Sequence, residues 1–372
     1  MGTEENVQSE NLRSLPLDDL HKAAGARFGG FAGWSMPITY PSGVMKEHLH
    51  ARSNAGLFDI SHMQLFDVSG KDAAGLISRA CPLDAEALQA GQSKYTFFLN
   101  EQAGILDDLI VTRLGEEHFM VVANAGNAAA DEAHFRHVAK DFECTIDALD
   151  RVFLAIQGPQ AADVLQKAGI AGTQLVFMHG FEPKAGWFMS RSGYTGEDGF
   201  EIGLPAEDAR ALVTKLFADE RVAWVGLAAR DSLRLEAGLC LHGHDITPEF
   251  DPVDAGLTWA IGKPVREKAG FIGAEALLEK IATGAKRKRV GLKPDGRQPV
   301  RSDTVLVDAD GNHVGIVTSG GFGPSAGHPV AMGYVGKDIL AASTPIFAEV
   351  RGNRIPVHIH PLPFTPHRYH KG

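Results

Sequence analysis

Between Asn100 and Val111 the chain reads Asn-Glu-Gln-Ala-Gly-Ile-Leu-Asp-Asp-Leu-Ile-Val, with two adjacent carboxylates inside a run that is otherwise apolar and β-prone. Gly104 ends the preceding turn, and Ile105, Leu106, Leu109, Ile110 and Val111 call for burial. Side chains alternate between the two faces of a strand, so one of Asp107 and Asp108 points inward and the other outward. An inward carboxylate is costly unless a cation or several donors satisfy it. It is either an ionic or hydrogen-bonded staple of the core, or a group held out of water to manage a proton or a cationic intermediate.

A chain of 372 residues, 44% hydrophobic, can bury a large core divided among two or three domains. Its net charge of −10 argues against a nucleic-acid-binding surface. Three widely spaced cysteines, Cys81, Cys144 and Cys240, make neither a disulfide framework nor a CxxC pair, which fits a reducing, cytoplasmic setting. No apolar run approaches a membrane span, and residues 1–13 read as a disordered lead with no targeting pattern.

Taken in order, helices are expected over Leu15–Ala24, Val44–Asn54, Ala73–Cys81, Ala125–Lys140 and Ala161–Lys167. Strands are expected over Gly56–Met63, Gln64–Val68, Lys94–Leu99, His118–Asn124 and Val152–Gln157, with Met36–Pro41 extended by its prolines. Gly25–Gly33 is turn-rich or strand-like. This alternation, without a phosphate-binding loop, indicates an α+β arrangement. His48, His50 and His62 invite a metal, but two residues is the wrong interval for one helical face and no further ligand spacing accompanies them, so no metal is expected.

Two further segments carry candidate site residues. In Arg191–Ile202 three glycines surround Tyr194, and Glu197-Asp198-Gly199 is turn chemistry that predicts two solvated carboxylates. Glu201 lies between Phe200 and Ile202, and alternation turns it away from both. Trp224–Gly238 is a helix stopped by Gly238, with Arg230 and Arg234 four apart on one face; each is a salt-bridge partner or a carboxylate anchor. From residue 285 to 372 the texture becomes short strands and hairpin turns, an all-β barrel or sandwich. Lys286–Arg289 reads as a solvated strand entry.

Five motifs in order then resemble one family: Phe31-Ala32-Gly33-Trp34, Ser61-His62-Met63, Gly104–Val111, Gly193–Ile202 and Leu227–Gly238. Any one is weak, but together, with Val314–Gly320 and Ala331–Val335, they resemble the T protein of the glycine cleavage system from about Leu15 to Tyr369. The resemblance implies an α+β, three-lobed cloverleaf around a central folate pocket. Two intertwined lobes would span 14–282 and a C-terminal β-barrel 285–372. It implies that tetrahydrofolate takes a one-carbon unit from an aminomethyl group on the lipoyl arm of H protein, giving 5,10-methylenetetrahydrofolate, ammonia and the dihydrolipoyl arm. By motif position Asp108 matches the catalytic aspartate and would be the inward member of its pair. Glu201 matches the pterin-holding carboxylate. Arg230 and Tyr369 match substrate-contacting positions, and Asn124, Met63, Val122 and Tyr194 match the pocket wall. His62 is in register but receives no chemistry. The same fold also serves folate-dependent demethylases and the folate domains that follow amine dehydrogenases; a free-standing chain without a flavin motif favours the T protein. A non-catalytic folate-binding branch in iron–sulfur cluster maintenance carries a cysteine in a Lys-Gly-Cys-Tyr-like segment. The matching turn here, Ser192-Gly193-Tyr194-Thr195-Gly196, has none.

Overall fold

The computed structural model describes residues 12–372, so most of the 1–13 lead lies outside the described residues. Arg13 and Ser14 do not belong to a disordered lead: they pair with Trp34 and Ser35, and the Arg13 guanidinium sits 4.1 Å from the Trp34 ring centre. The Gly/Phe-rich piece that follows is a hairpin of Arg27–Phe31 and Trp34–Thr39, turning at Ala32-Gly33.

Two sheets are interleaved in the chain. The first has the order 179–181, 188–191, 199–204, 152–157, 55–59, 222–224. Its centre is Val152–Gln157, buried at every position as a continuously apolar run requires. Leu57, Leu154, Ile156, Phe200 and Ile202 form a core with Leu165 and Leu212 from the helices Ala161–Lys167 and Ala206–Leu216. Between the 55–59 and 152–157 strands the chain departs to build the second sheet, order 93–99, 105–115, 118–123, 64–69, 145–149. The helices Ala73–Ala80 and Ala128–Val138 cover one of its faces through Leu76, Ile77 and Phe135.

Two boundaries differ from expectation for local polar reasons. The strand expected to reach Met63 stops at Asp59, whose carboxylate accepts from both the backbone N–H and the hydroxyl of Ser61. The helix expected from Ala125 starts at Ala128, because 124–127 forms a turn closed by Asn127 N–H to Asn124 C=O. That turn leaves both asparagine amides free to serve the site.

The C-terminal region closes into a barrel, order 287–294, 328–336, 313–323, 305–307, 346–350, 353–360, with the last strand pairing back on the first. Its basic entry is only partly solvated. Lys288 is exposed, but Arg287 pairs with Asp254 and lies over Phe250, and Arg289 donates to the Ala255 and Gly238 carbonyls. The helix Leu227–Glu236 joins all parts. It ends at Gly238, whose φ of +69° suits glycine, and its Leu235 packs on Val330 and Met332 of the barrel.

Candidate active site

The Ile105–Gly115 strand runs antiparallel to Ser93–Leu99, with Asp108 opposite Phe97 and Asp107 opposite Phe98. Gly104 permits this entry, since a Cβ there would lie 2.1 Å from the Pro248 carbonyl oxygen. Alternation does divide the two aspartates, but inward and outward are not the two sides. Asp107 is fully buried on the Phe98, Leu109 and Val111 face, under the helices of its own sheet. Asp108, taken from the resemblance as the inward member, is the less buried of the two. It shares the opposite face with Tyr95, Phe97, Ile110 and Val122, toward the rest of the molecule.

Asp108 accepts from the Tyr95 hydroxyl at 2.9 Å and the Asn124 side-chain amide at 2.8 Å. The same amide reaches Asp107 Oδ1 at 2.9 Å, and the Asn124 backbone N–H reaches Asp107 Oδ2 at 3.1 Å. Asn127 adds a further bond to Asp107 at 2.8 Å. Asp107 is therefore a carboxylate satisfied by donors, a core staple. Asp108 is pushed up to about 7, first by burial and then by the negative Asp107, against the opposing pull of Tyr95 and Asn124. One strand thus carries two carboxylates in different settings, one on each face.

A second cluster adjoins it. Glu201 faces away from Phe200 and Ile202, as alternation requires, and accepts from the Ser192 hydroxyl at 2.8 Å. Burial raises its pKa, with Arg230 and Ser192 pulling the other way. Arg230 is buried, sits over the Tyr194 ring at 4.9 Å, and has one terminal nitrogen with no hydrogen-bond partner among the described residues. Its other terminal nitrogen lies 3.9 Å from the Met63 sulfur. Tyr194 is fixed by its hydroxyl to the Cys240 carbonyl, and the Asp108 charge is felt at its phenol. The structure therefore links Asp108, Asn124, Tyr194, Arg230, Glu201 and Met63, with Val122 on the wall beside Met63.

Tyr369 packs among aromatic rings. Its ring stacks on Phe177 at 3.9 Å, and among the described residues it makes no hydrogen bond to Arg230 or Glu201. Arg234 is a structural arginine, bonded to Asp231, Asp245 and Ser319. Glu197 and Asp198, expected in solvent, are instead paired. Glu197 is buried against Arg52 and Arg368, and Asp198 is bidentate to Arg191. Turn chemistry fixes a backbone shape but not the partners: Arg52 and Arg368 reach Glu197 from distant segments, and Arg191 reaches Asp198 from within the same segment, across the hairpin.

Sequence reasoning missed Tyr95, although its two-residue offset from Phe97 puts it on the Asp108 face of the hairpin. It also left His62 without a role. His62 is buried against Phe31 with Nδ1 unpartnered, and burial, with the nearby Arg230, pushes it down to about 3, so its ring is neutral. Among the described residues no group of three or more His, Cys, Asp or Glu is placed to hold a metal ion.

Comparison with known proteins assigns residues 17–264 to the GCVT N-terminal domain and residues 287–365 to the glycine cleavage T-protein C-terminal barrel domain. Mitochondrial aminomethyltransferases resemble the chain over nearly its whole length. The Pisum sativum protein is 39% identical, with 97% of this chain and 91% of that protein covered. The Gallus gallus protein is 41% identical, with 97% and 94% covered. The crystal structure of the glycine cleavage system aminomethyltransferase T from Bartonella henselae matches with a TM-score of 0.95 and 61% identity, over 97% of this chain and all of that one.

Proposed function

Because the chain belongs to the glycine cleavage T-protein family, we propose that Asp108, Glu201 and Arg230 are the working groups of its aminomethyl transfer, with tetrahydrofolate as acceptor and a lipoylated H protein as carrier of the donor. The activity itself is that of the family, an aminomethyltransferase of the glycine cleavage system. The observation that carries the residue roles is a carboxylate poised near neutrality together with two further buried groups, Glu201 and Arg230, whose hydrogen-bonding capacity is only partly used.

The fit to folate rests on those two groups. Glu201 has one side-chain donor, Ser192, and can take N–H groups from a pterin edge as a bidentate carboxylate does. The free Arg230 N–H is a buried donor awaiting an acceptor, a costly state that a ligand relieves. When bound, tetrahydrofolate supplies the nitrogens that accept the one-carbon unit. The chain supplies electrostatics and a proton acceptor. Departure of ammonia from an aminomethyl group leaves positive charge on carbon, which an ionised Asp108 stabilises in a site poor in water. With a pKa near 7 the same carboxylate takes a proton without a large driving-force penalty. Tyr95 and Asn124 hold its two oxygens in place meanwhile.

We place this chemistry in a reducing, cytoplasmic setting, supported by three free thiols, although the curated relatives are named mitochondrial. The test of the whole proposal is turnover of aminomethyl-loaded H protein with tetrahydrofolate, for the natural chain and for Asp108→Asn. Release of ammonia and dihydrolipoyl H protein by the first and not the second is the expected result. A chain that demethylates a small amine in the same folate assay, and ignores H protein, would overturn it.

A further inference from the structure

Behind Asp108 lies a third carboxyl group that the reaction has not used. Asp131 sits on the Ala128–Val138 helix, four residues after Asn127, so both project from one face toward Asp107. It is 2% exposed and within hydrogen-bonding reach of the Asp107 carboxylate. Among the described residues its Oδ2 has no hydrogen-bond partner. Among the described residues it makes no ion pair with Lys or Arg.

These facts constrain its state. A buried carboxylate oxygen without a donor is expensive, and two carboxylates in contact without a cation cannot both stay ionised. Asp107 is the member supplied with donors, from the Asn124 backbone and side chain and from Asn127. The proton therefore belongs to Asp131. We propose that Asp131 is a positioning residue that works as a neutral carboxylic acid, donating its proton to Asp107 and thereby fixing, through Asn124, the orientation and acid–base range of Asp108. This rests on Asp108 being the reacting carboxylate.

The surrounding groups agree. Cys81, at the end of the Ala73–Ala80 helix, is held as a neutral thiol chiefly by burial. His242 accepts the Asn127 amide on Nδ1 at 2.8 Å, which directs its N–H away from Asp107 and toward the Ile105 carbonyl. His134, on the same helix as Asp131, is half-buried and pushed down by desolvation. Tyr95 faces Asp108 from the neighbouring strand. None supplies Asp131 with a positive partner. Burial and then the Asp107 charge push Asp131 up to about 10.

The experiment uses the full chain and two variants. Asp131→Asn keeps a neutral N–H donor in the acid's place, whereas Asp131→Leu removes it. Difference infrared spectra of the resting protein at pH 8 should show a protonated-carboxyl C=O band that Asp131→Asn abolishes. In H-protein turnover, Asp131→Asn should keep kcat within about threefold and leave the acidic limb of the pH profile in place. Asp131→Leu should lose kcat by roughly tenfold, the equivalent of one charge-assisted hydrogen bond, at little change in the folate KM. Its acidic limb should move upward, because an Asp107 with one donor fewer repels the Asp108 charge more strongly. An acidic limb that moves down in Asp131→Asn would mean that Asp131 carried a charge, and would overturn the proposal. A carboxyl band that survives in Asp131→Asn would do the same. If Asp131→Leu fails to fold, the spectrum and pH profile of Asp131→Asn still decide. The infrared band is independent of Asp108 chemistry, so its loss alongside an Asp108→Asn that stays active would put the error in the catalytic assignment instead.

Discussion

At the scale of single residues, Asp107 and Asp108 are chemically identical and adjacent in sequence, yet their environments differ: Asp107 is met by asparagine donors and Asp108 is pushed up to about 7. Asp108→Asn should abolish most turnover while leaving tetrahydrofolate affinity within a few-fold, because the amide keeps the shape and loses the base. The same substitution should stabilise the fold at high pH. Asp108 has a folded pKa of about 7 against an ordinary 3.8, so the folded state holds its proton more tightly than the unfolded state between those values. Its ionisation therefore costs stability as pH rises from about 4 to 7. Thermal melts should show Asp108→Asn above the natural chain at pH 8, with the gap narrowing through pH 7 and closing below about 4. A gap that widens on acidification would reverse the sign of the shift. Asp107→Asn should act on stability instead, by about 1–3 kcal/mol, since an amide oriented to accept the asparagine donors replaces only part of a carboxylate with four lone-pair sites. Glu201→Gln should weaken tetrahydrofolate by roughly 1.5–3 kcal/mol, the range for a hydrogen bond to a charged group, read by titration calorimetry on a folded variant.

At the scale of elements, period-two alternation was enough to turn Glu201 away from Phe200 and Ile202, and it separated Asp107 from Asp108. It could not say which face of the Ile105–Gly115 strand was the site, because both faces are covered, one by helices and the other by the neighbouring lobe. Burial on both sides erases the polar face from which direction is read. The Arg191–Ile202 segment failed in a different way. Its turn was legible from glycine content, but the fate of Glu197 depends on Arg52 from the Val44–Ser53 helix and on Arg368 from the C-terminal tail. Arg52 also binds Glu236, which His48 and the Ser325 and Ala326 N–H groups hold as well, and these partners depress it to about 2 despite its burial. Two buried carboxylates and Arg52 thus pin helix, turn, barrel and tail to one another. Removing one member leaves an uncompensated charge, so Glu197→Leu should cost about 3–5 kcal/mol in urea denaturation. The loss should be concentrated in a loosened tail, visible as amide exchange over 365–370. A variant as stable as the natural chain would show that the network is decorative.

At the scale of the whole molecule, two lobes interleaved in sequence and a barrel fastened by the Leu227–Glu236 helix leave the working groups at the meeting of strands and loops from all parts. The alternation of helices and strands gave an α+β region, and the hairpin texture after residue 285 gave an all-β domain, barrel or sandwich, which the structure closes into a barrel. Their mutual placement came from the family resemblance alone, since tertiary packing has no local signature. On the proposed function, the one-carbon donor is delivered by a separate lipoylated carrier. The chain's charge of −10 would repel an acidic carrier at long range. At physiological ionic strength, however, the screening length is about 8 Å, so contacts are decided by the local lysines and arginines at the docking surface rather than by the total. Docking on such residues orients the lipoyl arm before reaction, and well-oriented delivery is worth several orders of magnitude over a freely diffusing donor. Protein-bound aminomethyl lipoate should therefore react at least roughly 100-fold faster than free aminomethyl-dihydrolipoamide at equal concentration. That advantage should shrink as salt rises from about 50 to 500 mM, with the free donor hardly affected, because screening weakens the attraction between complementary patches and leaves the chemical step alone. Measuring kcat/KM for both donors across that salt series separates docking from chemistry. Equal, salt-insensitive constants for the two donors would mean that the carrier contributes nothing beyond its lipoyl group, and the proposed partnership with H protein would fall.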